Sequence, residues 1–350
     1  MWPAPSAGKT RSTTLGPLDF SAFFIARFSM TYKATLLKRL HGLAEAAAFL
    51  GMLFTLGGLL GRYVWFLEIF THLKLQLAYC FLFYAILELA ARRHRHAAAS
   101  LMFAAVNAFP VLFLFLPQES RAIPSPPPPA HMRILQANIL TSNTNSAALL
   151  SLIAHENPDV IVLQEPDERW RRELNSLTNI YPVFAILPRD DNFGAAIYCK
   201  ANALTAKIFQ LSDPEGAPSS LARIRINEKS ITVVGTHTLA PYSEAMWRGR
   251  NSFTRELAQV LRKVEGPLVV TGDLNNTPWS AHFRAFLKAS GLHDSAQGLG
   301  PQPTWPVASI PLMRIPLDHC LHSDDVHIAN KRPGPDIGSD HLPLIIDVTF

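Results

Sequence analysis

The chain has 350 residues, 48% hydrophobic and 17% charged, with 32 Lys plus Arg against 27 Asp plus Glu. A charged fraction below the roughly 25% usual in soluble globular proteins, beside so much apolar sequence, excludes a wholly disordered chain. Three cysteines, Cys80, Cys199 and Cys320, cannot all pair within one chain, which excludes a disulfide-stapled scaffold.

Residues 1–130 carry 12 basic and 5 acidic residues, whereas residues 131–350 carry 20 and 22. The positive excess therefore belongs to the first part, and the second shows no basic footprint for DNA or RNA.

In chain order, residues 1–39 read as a mobile tail. A secretory signal fits less well, because the apolar patch at 20–28 is short, is interrupted by Arg27 and lacks a small-residue cleavage site. Three apolar stretches follow, at 40–61, 75–91 and 97–117. A hydrocarbon core about 30 Å thick needs roughly 20 helical residues, so these predict a three-helix transmembrane region over 40–117. Glu45 and Glu88 lie near stretch ends, where a carboxylate reaches the interface. The third stretch offers only Ser100 and Asn107, too little for the polar stripe of a soluble bundle helix.

Lys33, Lys38 and Arg39 precede the first stretch, and Arg92, Arg93 and Arg95 separate the second from the third. The turn at 62–74 is less basic and carries Tyr63, Trp65 and Phe66, which suit an interfacial belt. Because short basic loops stay cytoplasmic, everything after residue 117 is expected outside the cytoplasm. A Pro-rich linker at 118–131, with Pro124 and Pro126 to Pro129, predicts a semi-rigid spacer that stands the next domain off the bilayer.

Residues 132–350 alternate strand-like and helix-like segments. Strands are predicted at 133–140, 159–164, 194–198, 221–226, 230–238, 267–271, 317–321 and 342–348, and helices at 146–155, 168–177, 243–264 and 281–289. Asn227, Glu228 and Lys229 read as the turn of an antiparallel hairpin. Mixed sheets layered with helices, an α+β or α/β sandwich, are expected.

Almost every predicted strand stops at a residue type that binds metal or moves protons. Asn138, Glu165 and His237 stand at or near three strand ends, Asp273 and Asn275 follow a fourth, Asp318 sits in the fifth, and Asp340 and His341 open the last. Ligand sites form where strand ends leave a crevice, so these residues are expected to converge. Zinc spacing of Cys and His is missing, and Cys199 and Cys320 lie in strand-like runs as core residues. Oxygen donors dominate: Glu165, Asp273 and Asp340, with the amides of Asn138 and Asn275, a set suited to Mg2+ or Mn2+. Such an ion polarises a phosphoryl oxygen. Asp318 can fix the tautomer of His341, and His237 supplies a second imidazole to a phosphate oxygen.

The set Leu135-Gln136-Ala137-Asn138, Leu163-Gln164-Glu165, Gly235-Thr236-His237, Gly272-Asp273-Leu274-Asn275, Leu317-Asp318-His319 and Ser339-Asp340-His341-Leu342-Pro343 resembles, in order, the motifs of the endonuclease/exonuclease/phosphatase superfamily. That group includes DNase I, exonuclease III, neutral sphingomyelinases and inositol polyphosphate 5-phosphatases. The apolar region ahead of it resembles the membrane-anchored bacterial branch. The resemblance implies a four-layer α/β/β/α sandwich of the DNase I-like kind. It also implies that Glu165 is the principal metal carboxylate, with Asn138 holding metal or water and Asp340 at the metal edge. Asp273 would position or deprotonate water, Asn275 would touch the scissile phosphate, and His237 would stabilise it or serve as acid. His341 would contact the phosphate while Asp318 orients it, and Thr304 and Trp305 would brace this edge. One position departs: Pro316 stands two residues before Asp318, where the family usually has a basic or polar residue, and Arg314 lies four before.

His319, His322 and His327 read as packing or surface histidines, and Arg169, Arg171 and Arg172 as a solvated helix face. Arg248 and Arg250, close in sequence to His237, are expected to contact substrate charge. The expected function is a Mg2+-dependent phosphoesterase anchored in a bacterial inner membrane by three spans, facing outward. Its expected substrate is a lipid headgroup or another small phosphoester, and no protein partner is predicted. The alternatives are an extracytoplasmic nuclease and a non-catalytic tethered binding protein, the latter opposed by the intact Glu165, Asp273, Asp340 and His341 set.

Overall fold

A computed structural model describes residues 1–2, 20–116, 130–213 and 216–350, with the backbone alone for 20–34. Two units are distinguished, residues 1–50 and residues 51–350. Helix α1 (Phe20–Leu59) begins inside the expected tail, so that tail is helical from Phe20 onward. Residues 3–19 lie outside the described residues.

The sequence reading of three spans resolves into two or three. Thr35–Leu59 and His94–Phe115, of 25 and 22 residues, are long and apolar enough to cross a membrane. Between them, a 3-10 turn (Trp65–Leu67) runs into α2 (Glu68–His72), and α3 (Lys74–Ala90) follows. At 17 residues α3 reaches only about 25 Å. The bent pair Trp65–His72 and Lys74–Ala90, at 61°, makes a third span only if counted as one. The chain turns back tightly after α1 because Gly61 has no side chain: a Cβ there would lie 2.8 Å from the Cα of Glu68. Helix α4 (His94–Leu112) packs on α3, with Phe81 and Ala104 buried between them. The two polar residues of that stretch, Ser100 and Asn107, are buried, and the Asn107 amide donates to Thr55 Oγ1 at 2.9 Å.

The end of this helical region sits directly against the following domain. Gly298 and Gly300 donate backbone N–H groups to the Leu114 carbonyl at 2.7 and 3.1 Å, and the Gln297 amide donates to Phe113 and Leu116 carbonyls at 2.9 and 2.8 Å. Val111 and Leu114 bury apolar surface against Trp279 and Ala296. The expected stand-off is therefore replaced by docking. Residues 117–129, which hold most of the expected linker, lie outside the described residues.

The domain contains two six-stranded sheets. The first runs, in spatial order, β11 (His327–Pro333), β12 (Leu344–Thr349), β1 (His131–Asn138), β2 (Val160–Gln164), β4 (Ala195–Cys199) and β3 (Val183–Leu187). The second runs β5 (Ala203–Phe209), β6 (Ser219–Ile226), β7 (Lys229–Gly235), β8 (Leu268–Asp273), β10 (Asp318–His322) and β9 (His293–Asp294). Both are mixed, with β1 parallel to β2 and β7 parallel to β8. The expected hairpin joins β6 to β7, and Asn227 at φ 55° takes its left-handed position.

Side chains alternate across each strand with period two. Ile134, Val160, Val162, Ile231, Val233 and Val269 meet between the sheets. The opposite faces take helices: α5 (Ser146–Glu156) and α6 (Glu168–Glu173) cover the first sheet through Leu149, Ile153 and Trp170, and α7 (Glu244–Leu261) and α8 (Ala281–Ser290) cover the second through Leu257, Leu261, Phe283 and Phe286. The result is the expected α/β/β/α sandwich. Cys199 and Cys320 are both free thiols of the inter-sheet core.

Candidate active site

The same alternation explains where the polar residues go. Ile134, Gln136 and Asn138 share one face of β1, as do Val160, Val162 and Gln164 of β2, and Val269, Thr271 and Asp273 of β8. That face packs against the other sheet, so at the strand ends the apolar core gives way to buried polar side chains. Two registers tighten the cluster: Asn138 pairs with Gln164, and Asp318 pairs directly with Asp273.

Glu165 leaves β2 in the left-handed region at φ 66°, a strained position for a non-glycine residue. Its N–H donates to Gly194 O at 2.9 Å, and a side chain at Gly194 would put its Cβ 1.9 Å from the Pro166 carbonyl oxygen. The turn thus aims a buried carboxylate into the cleft. The Asn138 amide donates to Glu165 Oε1 at 2.8 Å and to Asp273 Oδ2 at 3.2 Å, and Thr141 N–H donates to Glu165 Oε2 at 3.3 Å. Burial raises the Glu165 pKa; the Asn138 and Thr141 hydrogen bonds oppose this, and the neighbouring Asp340 adds to it.

Asp273 is 1% exposed, and burial holds its carboxyl well above the usual range, against the pull of His341. Gly272 before it has φ 149°, and a Cβ there would meet Thr236 O at 1.9 Å. Asn275, at φ 44°, donates its N–H to Asp273 Oδ1 at 2.8 Å and its amide to Thr238 O at 2.8 Å. His237 Nε2 lies 3.5 Å from Asp273 Oδ2 and 3.9 Å from Glu165 Oε1. Burial first, then the charge of His341, lowers the His237 pKa to about 4, so this imidazole is neutral at pH 7.

His341 is the opposite case. Its Nδ1–H points at Asp318 Oδ2 at 2.8 Å and its Nε2 at Asp273 Oδ2 at 3.5 Å. Burial would lower its pKa, but Asp318 and then Asp273 outweigh it and push it up to about 10. Burial likewise opposes ionisation of Asp318, and His341 outweighs it, leaving that carboxyl below its ordinary value. Gln136 holds the far Asp318 oxygen at 2.8 Å, and Trp305 Nε1 donates to Asp340 Oδ2 at 3.0 Å. Ser339 Oγ donates to Asn138 O at 2.8 Å and ties the last segment to β1.

The sequence of this chain matches the Endonuclease/Exonuclease/phosphatase family over residues 135–341, more than half its length. The chain belongs to that family. Members of the endonuclease/exonuclease/phosphatase family are mostly phosphodiesterase or nuclease enzymes and typically depend on a divalent metal. The fold is similar to that of an endonuclease/exonuclease/phosphatase from Bacteroides vulgatus, 18% identical, covering 62% of this chain and 98% of that one at a TM-score of 0.53. It is also similar to D. rerio TDP2 complexed with single strand DNA product, 17% identical, with 62% and 98% covered and a TM-score of 0.53. The human Nocturnin catalytic domain with bound sulfate is 20% identical, with 63% and 94% covered and a TM-score of 0.51. Among curated protein sequences none matches.

The donor set of this family member fits a hard divalent cation. Glu165 and Asp340 line one cleft beside Asp273, and the burial that raises Glu165 is relieved by a cation. Asn138 lies beside Glu165: its NH2 donates to Glu165 Oε1 at 2.8 Å and its oxygen accepts Leu140 N–H at 3.1 Å. Arg250 is corrected outright: it is 1% exposed and pairs with Glu68 at 2.6 Å, out of reach of a substrate in the cleft. Arg248 is exposed and pairs with Glu244 one helical turn away. His319 and His322 are buried packing residues, as expected, and His319 holds Asn276 O at 2.8 Å.

Sequence reasoning did not single out two contributors. Gln136, two residues before Asn138 on the same strand face, was open to discovery by period-two reading. The other is the cleft wall formed by Trp65, Phe66 and Ile69, more than 90 residues away in sequence from Glu165, for which no local signal exists.

Proposed function

We propose that this chain is a membrane-anchored phosphoesterase dependent on Mg2+ or Mn2+, which hydrolyses a phosphodiester or phosphomonoester by attack of water. The observation that carries the reading is the meeting of Glu165, His237, Asp273, Asn275, Asp318, Asp340 and His341, from five separate segments, around one cleft of about 770 Å3. Glu165 and Asp340 would hold the ion, which when bound supplies Lewis-acid polarisation of a phosphoryl oxygen.

The rest of the chemistry belongs to the side chains. Asp273, kept basic by burial and fixed by the Asn275 N–H, orients water and takes its proton. His341, charged at neutral pH, donates from Nε2 to a phosphate oxygen and stabilises charge that develops there, while Asp318 fixes its tautomer. Neutral His237 and the Asn275 amide supply further hydrogen bonds to the phosphate without adding charge. The apolar helices support anchoring in a bacterial inner membrane, and the basic residues flanking them support a catalytic domain outside the cytoplasm. The slightly acidic domain favours small or membrane-borne esters over nucleic acid.

The test is hydrolysis of bis(p-nitrophenyl) phosphate by the full chain in detergent. Turnover is expected with Mg2+ or Mn2+ and none in chelator. Asp273→Asn and His341→Ala are each expected to lower kcat by at least ~100-fold. Metal-independent turnover, or an unchanged rate in both variants, would overturn the reading.

A further inference from the structure

The catalytic cleft is not closed by the sandwich alone. One wall comes from the segment between the apolar helices: Trp65, Phe66, Ile69, His72 and Leu73 line the same cavity as Glu165, Asp273 and His341. Phe66 is 54% and Ile69 60% exposed, and across the cavity Tyr242 is 78% exposed. A site for a small polar ester has no use for such a surface, since exposed aromatic and aliphatic side chains gain only when apolar material covers them.

This wall is fixed to the catalytic loops. Glu68 is 1% exposed and pairs with the buried Arg250 at 2.6 Å, and its other oxygen accepts from Ser280 Oγ at 3.2 Å. The same Arg250 donates to Asn275 O at 3.1 Å, so one guanidinium joins the wall to the loop that holds Asp273. His72 Nδ1 lies 3.0 Å from Thr277 Oγ1. Burying two charges is costly unless both are paired and hydrogen-bonded, and here that cost is met in order to hold an exposed apolar surface beside a phosphoester site.

We propose that the segment at 65–73 is the hydrocarbon-binding wall of the cleft, and that the substrate is an amphiphilic phosphoester presented by the bilayer. This inference rests on the phosphoesterase reading and extends it. The phosphate lies among Glu165, His237 and His341, and the alkyl chain lies on Trp65, Phe66 and Ile69 toward the membrane. Two features argue for a lipid occupant over a protein: the wall directly follows a helix, Thr35–Leu59, long and apolar enough to span a membrane, and it is continuous with the catalytic cavity.

The experiment uses the full chain in detergent micelles with Mg2+ and two phosphodiesters that differ only in chain length, methyl p-nitrophenyl phosphate and hexadecyl p-nitrophenyl phosphate. In each, water adds to phosphorus and the bond to the p-nitrophenyl oxygen breaks, releasing p-nitrophenol and an alkyl phosphate. The hexadecyl ester is expected to show kcat/KM at least ~10-fold above the methyl ester. Partition of the long chain into micelles could raise its rate by itself, so the variants decide. Phe66→Ser and Ile69→Ser, both at exposed positions, are expected to lower the hexadecyl-to-methyl ratio at least ~10-fold together, whereas Ile180→Ser, exposed elsewhere on the domain, leaves the ratio unchanged. Equal kcat/KM for the two esters, a ratio indifferent to Phe66→Ser and Ile69→Ser, or a preference for single-stranded DNA over the hexadecyl ester overturns the proposal and leaves the phosphoesterase reading intact. Failure to hydrolyse any ester with metal overturns both.

Discussion

Replacing Asp318 with Asn tests the electrostatics of the site with little change of shape. Asp318 is 2% exposed; one oxygen accepts from Gln136 at 2.8 Å and the other from His341 Nδ1 at 2.8 Å. In Asp318→Asn the amide oxygen can still accept from Gln136, but an NH2 group then faces Nδ1, and the imidazole must turn its acceptor toward it. The charge that does most to hold His341 near pKa 10 is removed, and burial, which lowers that pKa, prevails. The ring is then neutral at pH 7.5 and in the other tautomer. A correctly placed acid-base group contributes 10²- to 10⁴-fold, so kcat on bis(p-nitrophenyl) phosphate with Mg2+ is expected to fall by about that factor. Stability gives an independent readout in chelator. A His whose folded pKa is raised from 6.5 to about 10 stabilises fully below pH 6.5, and the contribution is lost as pH rises through about 10. The Tm of the native chain should therefore decline between pH 6.5 and 10, and this decline should flatten in Asp318→Asn. A variant whose kcat stays within roughly 3-fold of native, far short of the loss expected for an acid-base group, and whose Tm keeps the same dependence on pH would refute the reasoning.

Three further outcomes follow from packing. Arg250→Ala leaves Glu68 charged and buried without its partner and should cost about 3–5 kcal/mol in thermal unfolding of the full chain, whereas Arg250→Met combined with Glu68→Leu should recover most of the loss. Gly272→Ala places a Cβ 1.9 Å from Thr236 O and forces an unfavourable φ, so folded protein should be scarce and its Tm sharply lower; native-like Tm would contradict the strand geometry. Trp170→Ala removes a side chain that is 0% exposed under the first sheet and should cost about 3–5 kcal/mol by denaturant titration, with the metal requirement of any remaining activity unchanged.

Much of the sandwich was legible because its strands obey a local rule. The runs at β1, β2, β4, β6, β7, β8 and β12 are rich in apolar residues, β10 was marked by the residues around Asp318, and each predicted strand overlaps the observed one. The four strands without a prediction, β3, β5, β9 and β11, all lie at sheet edges: β9 has two residues, β11 mixes His327, Asn330 and Lys331 with apolar residues, and β3 is an apolar but only partly buried run. The helical region was legible as apolar length but not as shape. Composition could not reveal that the second stretch is broken by a bend or that Gly61 lets the chain fold back onto Glu68.

The residue types of the site, and their places at strand ends, were fixed by the order of the chain, because period two sends Asn138, Asp273 and Asp318 to one face wherever the strands pair. Distances and electrostatics were not. Only the stacking of the two sheets brings Asp273 and Asp318 around His341, charging one imidazole while burial keeps His237 neutral. Arg250 shows the limit most clearly: in the sequence it is a cation near a catalytic histidine, and in the fold it is the buried partner of Glu68. A charge is read by what surrounds it, and those surroundings come from residues 182 positions apart.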